Sequence, residues 1–190
     1  MFIKASNFNK LIKKTYKGTG LLVARINENI YIGGNSWLLK TNKDFMPNKI
    51  KAMIIELIGE FPANGEMYTA TPNGNQMEIW DDEKIQIEKW YELPHYACTR
   101  SNIRVECKHK SCRLYQSSTG EVRYVNELYD DIVAPFDIDE VVESVPQGPF
   151  IRDSGIFWKN ETTTLMYVTS QPEENTNEAD ILAALSKIEL

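Results

Sequence analysis

The feature of this sequence that most constrains its fold is one order of segments that occurs twice. In the first occurrence, "LLVARINENIYIGGNSWLLKT" consists of short, largely apolar runs that are separated by the polar turns "NEN" and "GGNS". This pattern predicts strands. A helix that opens at Pro47 follows, and its apolar stripe predicts burial; the stripe consists of Ile50, Met53, Ile54, Leu57 and Ile58. A hairpin around "PNGN" then completes the unit.

The second occurrence begins with "IRVECKHKSCRLYQ", which predicts a hairpin. The segment "VRYVNELYDDIV" predicts a helix with one apolar face, made of Val125, Leu128, Tyr129, Ile132 and Val133. "GIFWKNETTTLMYV" predicts another hairpin, around "KNET". The two occurrences lie about 75 to 90 residues apart, which indicates an internal duplication. We therefore expect an α+β fold of two repeated units, each with antiparallel β-hairpins and one packed helix.

A further helix is predicted at each end of the chain. Ser6 or Asn7 can cap a helix through "NFNKLIKKTYK", whose apolar residues recur at helical spacing: Phe8, Leu11, Ile12 and Tyr16. After the polar "EENTNE", the segment "ADILAALSKIEL" predicts an amphipathic helix that packs on the body of the protein through Ile181, Leu182, Leu185 and Ile188. The predicted divisions are residues 1–90, which include the basic N-terminal helix, 91–172, and 173–190, which hold the linker and last helix. All three are expected in one globular body.

Charge is divided unevenly along the chain. Residues 1–52 contain ten Lys or Arg and two acids, a balance of +8, whereas the rest of the chain has a balance of -14. Such a division is typical of a polyanion-binding face at one end. It equally fits two oppositely charged halves that attract each other within one fold. The sequence leaves both interpretations open.

The N-terminal helix supplies the candidate DNA-binding residues. Because its apolar side chains must face the core, the remaining positions are held outside, and these are Lys10, Lys13, Lys14 and Lys17. Lys4 and Arg25 are candidates to lie nearby. Lysines on a rigid helix neutralise phosphates and release counterions, without reading base sequence.

Every cysteine and histidine lies between residues 95 and 112, namely His95, Cys98, Cys107, His109 and Cys112. A structural zinc site usually has paired knuckles such as C-x2-C, and this segment has none. Its alternation instead predicts a hairpin in which buried cysteines act as small hydrophobic residues. We assign no metal ligand and no cofactor, and we keep zinc as an alternative.

A second alternative rests on "VECK". Glu106 and Lys108 resemble the E-x-K half of the PD-(D/E)xK nuclease superfamily, and the resemblance implies that the acid holds Mg²⁺ while the lysine positions the attacking water. Asp81 or Asp82 would supply the second carboxylate. Glu and Lys that alternate on a strand also fit the solvated face of a hairpin.

The strand and helix units, together with the basic "FIKASNFNKLIKKTY", resemble the subdomains of ring-shaped DNA processivity (sliding) clamps. The resemblance implies basic helices along a DNA channel, a surface groove for polymerase tails, and self-association, because one chain of this size cannot encircle a duplex. The small size and the Lys- and Asn-rich composition also look like those of a phage or mobile-element protein.

We therefore interpret the chain as a non-enzymatic, DNA-associated, clamp-like binding protein of phage type, with duplex DNA as partner and a homo-oligomer as its assembly. The third interpretation is a protein–protein inhibitor or adaptor that acts through its acidic half. Because no signal peptide and no apolar run of about 20 residues is present, we expect a cytoplasmic protein without a membrane span.

Overall fold

The computed structural model describes residues 1–79, 87, 92–107, 110–135, 138, 143–169 and 177–188. The helices within these residues are α1 (Ala5–Lys17), α2 (Asn48–Ile58), α3 (Glu127–Asp130) and α4 (Asn177–Leu185). The strands are β1 (Leu21–Ile26), β2 (Asn29–Gly34), β3 (Trp37–Asn42), β4 (Glu66–Thr71), β5 (Gly74–Ile79), β6 (Tyr96–Cys107), β7 (Lys110–Ser117), β8 (Val122–Asn126), β9 (Gln147–Arg152), β10 (Gly155–Lys159) and β11 (Thr163–Val168). None of these helices is long and apolar enough to cross a membrane.

The strands form one antiparallel sheet in the order β5-β4-β1-β2-β3-β11-β10-β9-β6-β7-β8. The predicted α+β class is therefore confirmed, and so are the hairpins around "PNGN" and "KNET". In each half, the strand that follows the helix pairs with the first strand of the preceding meander, β4 with β1 and β9 with β6. The halves differ in strand number and in helix length, so the duplication itself stays a prediction.

The helix predicted over residues 122–133 is wrong in its first part. Val122–Asn126 is strand β8, which pairs with β7 and places Tyr124 opposite Leu114. β-branched and aromatic residues favour an extended chain when a neighbouring strand satisfies their backbone. The helix begins only at Glu127, where the Asn126 side chain accepts a hydrogen bond from the Leu128 amide at 2.9 Å.

The predicted cap of α1 is also wrong. The helix starts at Ala5, and Lys4 precedes it without a side-chain capping bond. The Asn7 amide group instead donates to the Asp131 carbonyl at 3.0 Å. The start is set by tertiary pairing, because Ile3 bridges to Val133 in the second half of the chain.

Helices α1, α2 and α3 pack on one face of the sheet, and α4 packs on the other. The larger core joins Phe8 and Ile12 of α1 and Ile54 of α2 to sheet residues such as Leu39 and Tyr167. The opposite face carries a smaller cluster, which Leu182 and Leu185 of α4 cover: Cys112, Leu114, Val122 and Tyr124. The other two residues predicted to pack, Ile181 of α4 and Ile188 beyond its end, are exposed. Basic and acidic helices therefore share the face opposite α4.

We expect Ile54→Ala to lower the free energy of unfolding by about 2–5 kcal/mol, because its side chain is fully buried in the larger core. Ile55→Ala is the matched control, since the neighbouring isoleucine is 45% exposed, and its loss should stay below about 0.5 kcal/mol. Leu57 is partly buried and should fall between them. Urea unfolding measures all three, and equal losses for Ile54 and Ile55 would mean that α2 packs through another face.

Candidate nucleic-acid interface

Four lysines lie along one face of α1, and we call them the lysine row: Lys10, Lys13, Lys14 and Lys17. Their spacing of three and four residues places them on a single stripe of the helix, which extends about 10 Å along its axis at 1.5 Å per residue. All four are exposed. The opposite face of α1 is buried through Phe8, Leu11 and Ile12. The row is therefore a set of solvent-facing amines on a helix that cannot rotate about its axis.

The C-terminal half of α1 is held against the start of β3. The Trp37 indole donates to the Thr15 hydroxyl at 3.0 Å, and its ring meets Phe8 edge-on with the ring centres 5.4 Å apart. Gly34 lets β2 approach closely, because a Cβ at that position would lie 2.6 Å from the Thr15 methyl group. These contacts fix the backbone from which the lysine row extends.

The lysine row has little compensating negative charge. Lys13 lies 3.8 Å from Glu56 of α2, and both side chains are largely exposed, so this pair contributes little stability. Between residues 1–90 and 91–172, the N-terminal ammonium group of Met1 pairs with Glu143, whereas the ion pairs between described side chains each stay within one of these two ranges. Among the described residues, no side-chain ion pair joins the row to residues 91–172.

The two other basic candidates differ in position. Lys4 is exposed immediately before α1, and its backbone amide donates to the Ile132 carbonyl at 2.9 Å. Arg25 is half-buried on β1, and its Nε donates to the Asn27 carbonyl at 3.3 Å in the adjoining turn. Lys4 therefore extends the exposed basic surface beyond the start of the helix, whereas Arg25 is engaged by its own hairpin.

The acidic helix α3 is built into an arginine network that the sequence analysis missed. Asp130 is buried and accepts two hydrogen bonds from Arg100, at 2.7 and 2.6 Å, and one from the Tyr115 hydroxyl at 2.5 Å. Burial opposes ionisation of this carboxyl. The hydrogen bonds from Arg100 and Tyr115 and the charges of Arg100 and Arg113 outweigh it, so the pKa of Asp130 is lowered.

Glu127 of the same helix forms ion pairs with two arginines. Arg104 approaches it at 2.8 Å, and Arg113 lies 3.7 Å away. Both acids of α3 therefore neutralise arginines of β6 and β7 and do not form an open acidic surface. The partners lie up to 30 residues apart in sequence, and no local spacing pointed to them.

The two described cysteine side chains, Cys98 and Cys112, do not lie in one site. Cys98 pairs with Ser117, whereas Cys112 lies five positions earlier on β7, so the two thiols point to opposite faces of the sheet. Cys98 belongs to the larger core and Cys112 to the smaller cluster. Burial raises the pKa of the Cys98 thiol to about 12. A zinc ion that binds both Cys98 and Cys112 is therefore excluded.

No metal site is found among the described residues, and the described histidine, His95, lies among aromatic rings. His95 packs against Phe150 and Phe157, with ring centres 4.7 and 5.3 Å away. Over the described ranges, no group of three or more His, Cys, Asp or Glu residues could hold a metal ion. His109 and the side chain of Cys107 lie outside the described residues.

The nuclease residues are only partly placed. Glu106 is exposed on β6, opposite Ser111. Lys108, Asp81 and Asp82 lie outside the described residues, so the arrangement of the second carboxylate and the lysine stays a hypothesis.

Comparison with solved structures gives a structural likeness. No family model matches the chain, and no curated protein matches it. A solved structure from Eubacterium rectale ATCC 33656, provisionally described as a DNA polymerase III beta subunit, is similar with a TM-score of 0.36 and 13% sequence identity. The match covers 95% of this chain and 66% of the other.

Proposed function

We propose that this chain is a non-enzymatic, DNA-associated protein that contacts the duplex backbone through the lysine row of α1. The observation that carries the proposal is the row itself: four exposed lysines on one stripe of a helix whose other face is buried in the core. Fixed amines neutralise phosphates and release their counterions. Since phosphates are the same at every base pair, binding of this kind has no sequence preference.

A salt titration of the wild-type protein with a blunt duplex tests the proposal. Three or four phosphate contacts imply that the logarithm of the binding constant falls with the logarithm of salt at a slope near -3, at about -0.9 per contact. We expect an affinity no tighter than micromolar at physiological salt. Fluorescence anisotropy between about 20 and 200 mM salt measures both quantities. Absence of binding at about 20 mM, where screening is weakest, would remove the DNA-associated function in favour of the adaptor.

Removal of a negative charge beside the row should strengthen DNA binding. Glu56 lies 3.8 Å from Lys13, so it competes with phosphate for that amine and repels the duplex. We expect Glu56→Gln to tighten binding about two- to fivefold at low salt, in line with the worth of a surface ion pair. Asp180→Asn on α4, at the opposite face of the sheet, removes the same charge and should leave the affinity unchanged. A weaker complex with Glu56→Gln would place the DNA elsewhere.

The clamp-like part of the proposal concerns assembly. A chain of 190 residues needs further copies to enclose a duplex, so we propose a homo-oligomer whose lysine rows face a shared channel. Light scattering at micromolar concentration tests this directly. A monomer at every concentration would remove the ring and leave the lysine row as a simple backbone contact. A phage-type origin, which rests on small size and composition, and a cytoplasmic location, which rests on the lack of a recognisable signal peptide or apolar span in the sequence, belong to the same proposal.

A further inference from the structure

A cavity of about 240 Å³ lies next to the lysine row, where the two halves of the chain meet. One wall is the C-terminal half of α1, with Lys14 at its edge. A second wall is the β2–β3 turn at Asn35 and Ser36, and a third is formed by Asn126 and Tyr129 at the start of α3. The cavity is thus separate from the exposed stripe of the row but shares Lys14 with it.

The lining favours an anion that carries a larger uncharged part. Among the described residues that form it, Lys14 is the single charged side chain, and no Asp or Glu is present. Hydroxyl and amide groups come from Thr19, Asn35, Ser36 and Asn126, while Leu11, Trp37 and Leu128 supply apolar surface. A cation would find no charged partner in such a lining, whereas a phosphate ester would meet one ammonium group and several neutral donors.

The C-terminus of α1 repels an anion less than a helix C-terminus with free carbonyl groups would. A helix C-terminus carries partial negative charge on its free carbonyl groups. Here the Gly18 amide donates to the Lys14 and Thr15 carbonyls, and the Gly20 amide donates to the Thr15 carbonyl as well. The last turn also contains Lys14 and Lys17. The positive charge of these lysines therefore dominates at this end of the helix.

One wall of the cavity is held in place before any ligand arrives. The hydroxyl groups of Ser36 and Tyr129 lie 2.7 Å apart in a hydrogen bond. The Tyr129 ring stacks on Tyr167, with ring centres 4.5 Å apart and planes 9° from parallel, and the Tyr167 hydroxyl donates to the Tyr129 carbonyl at 3.2 Å. Binding to groups that are already ordered avoids much of the entropy cost of association.

We propose that this cavity binds the phosphate of a mononucleotide unit, supplied either by the end of a DNA strand on the lysine row or by a free nucleotide. Lys14 holds the phosphate at the edge of the cavity, and the sugar and base fill the rest. The volume lies below the roughly 300–1,000 Å³ of sites for drug-sized ligands, which limits the ligand to one unit. The strand-end source rests on the proposed DNA-binding function, and the free-nucleotide source does not.

The first test uses the wild-type protein and free ligands. Calorimetric titration with dTMP should give saturable binding, and thymidine should bind at least about tenfold more weakly, because it lacks the charged group that Lys14 pairs with. A duplex with a 5′-phosphorylated single-nucleotide overhang is then compared with a blunt duplex that ends in a 5′-hydroxyl group. Preference for the overhang identifies a strand end as the source, and equal binding of the two duplexes identifies the free nucleotide.

The second test is the double variant Asn35→Ala with Ser36→Ala, which removes neutral donors and leaves the lysine row complete. We expect dTMP binding to weaken about tenfold, with the affinity for blunt duplex unchanged. Asn102→Ala, at an exposed asparagine of β6, is the control and should alter neither. Circular dichroism checks that the double variant is folded.

The outcomes separate the two proposals. If dTMP does not bind at millimolar concentration, or if thymidine binds equally well, the cavity proposal is overturned even where blunt duplex still binds the row. If dTMP binds and the double variant weakens it while no duplex binds, the cavity proposal stands and the DNA-binding function fails.

Discussion

Replacement of Lys10, Lys13 and Lys14 together by glutamine is expected to abolish detectable DNA binding at physiological salt. The binding constant scales with salt concentration to a power of about -0.9 for each phosphate contact. The loss of three contacts at about 0.1 M salt therefore lowers it by two to three powers of ten. The salt slope should fall from near -3 to near -1 in the same anisotropy titration.

The triple variant should fold as the wild type does. All three lysines are exposed, and glutamine forms helices nearly as well as lysine. A control triple variant, with Lys43, Lys159 and Lys187 changed to glutamine, removes the same net charge away from α1. We expect the control to keep most of its affinity and its slope. Equal losses in both triple variants would mean that net charge, rather than the lysine row, attracts the DNA.

Asp130→Asn should lower the free energy of unfolding by about 3–5 kcal/mol at pH 7, which is the usual cost when one partner of a buried ion pair is removed. The asparagine keeps the size of the side chain but removes the negative charge that lies 3.5 Å from Nε of Arg113. Arg113 is almost fully buried, so it would lose a charged partner that water cannot replace. Asp131→Asn is the matched control, since the neighbouring aspartate is exposed. Its effect should remain below about 0.5 kcal/mol.

The stability that Asp130 contributes has a defined dependence on pH. Its pKa is lower in the folded protein than the usual value near 3.9, so the contribution is complete above that value and is lost as the pH falls through the folded pKa. The difference between wild type and Asp130→Asn should be constant from about pH 5 to 7 and shrink below about pH 4. Urea unfolding across this range measures it. A difference that does not shrink in acid would show that the arginines do not stabilise the ionised carboxylate.

The local sequence pattern was enough to predict helices and strands that have periodic apolar residues or clear turn residues at their ends. The meander of β1, β2 and β3 follows from short apolar runs between polar turns. Runs of this length are too short for a helix with a buried face, so they indicate strands. The exposure of the lysine row follows from α1 in the same way, since a helix with one apolar stripe has a single way to face a core. No knowledge of distant residues was needed for either.

Other features depend on residues that are far apart in sequence. Val122–Asn126 is a strand because β7 pairs with it, although its own pattern also fits a helix. Asp130 is a buried carboxylate because Arg100, 30 residues away, reaches it across the sheet. The separation of Cys98 from Cys112 depends on strand register, which turns a cluster in sequence into two unrelated positions.

At the cavity beside Lys14, one property was predictable from the local sequence and the rest depended on tertiary structure. Its position depends on how the β2–β3 turn meets α3, and those segments lie some 90 residues apart. The periodicity of α1 predicted that Lys14 would be exposed, because that follows from one helix. The groups that surround Lys14 depend on the pairing of β3 with β11, which brings the two halves together. Local sequence preferences cannot specify contacts between residues so far apart in the chain.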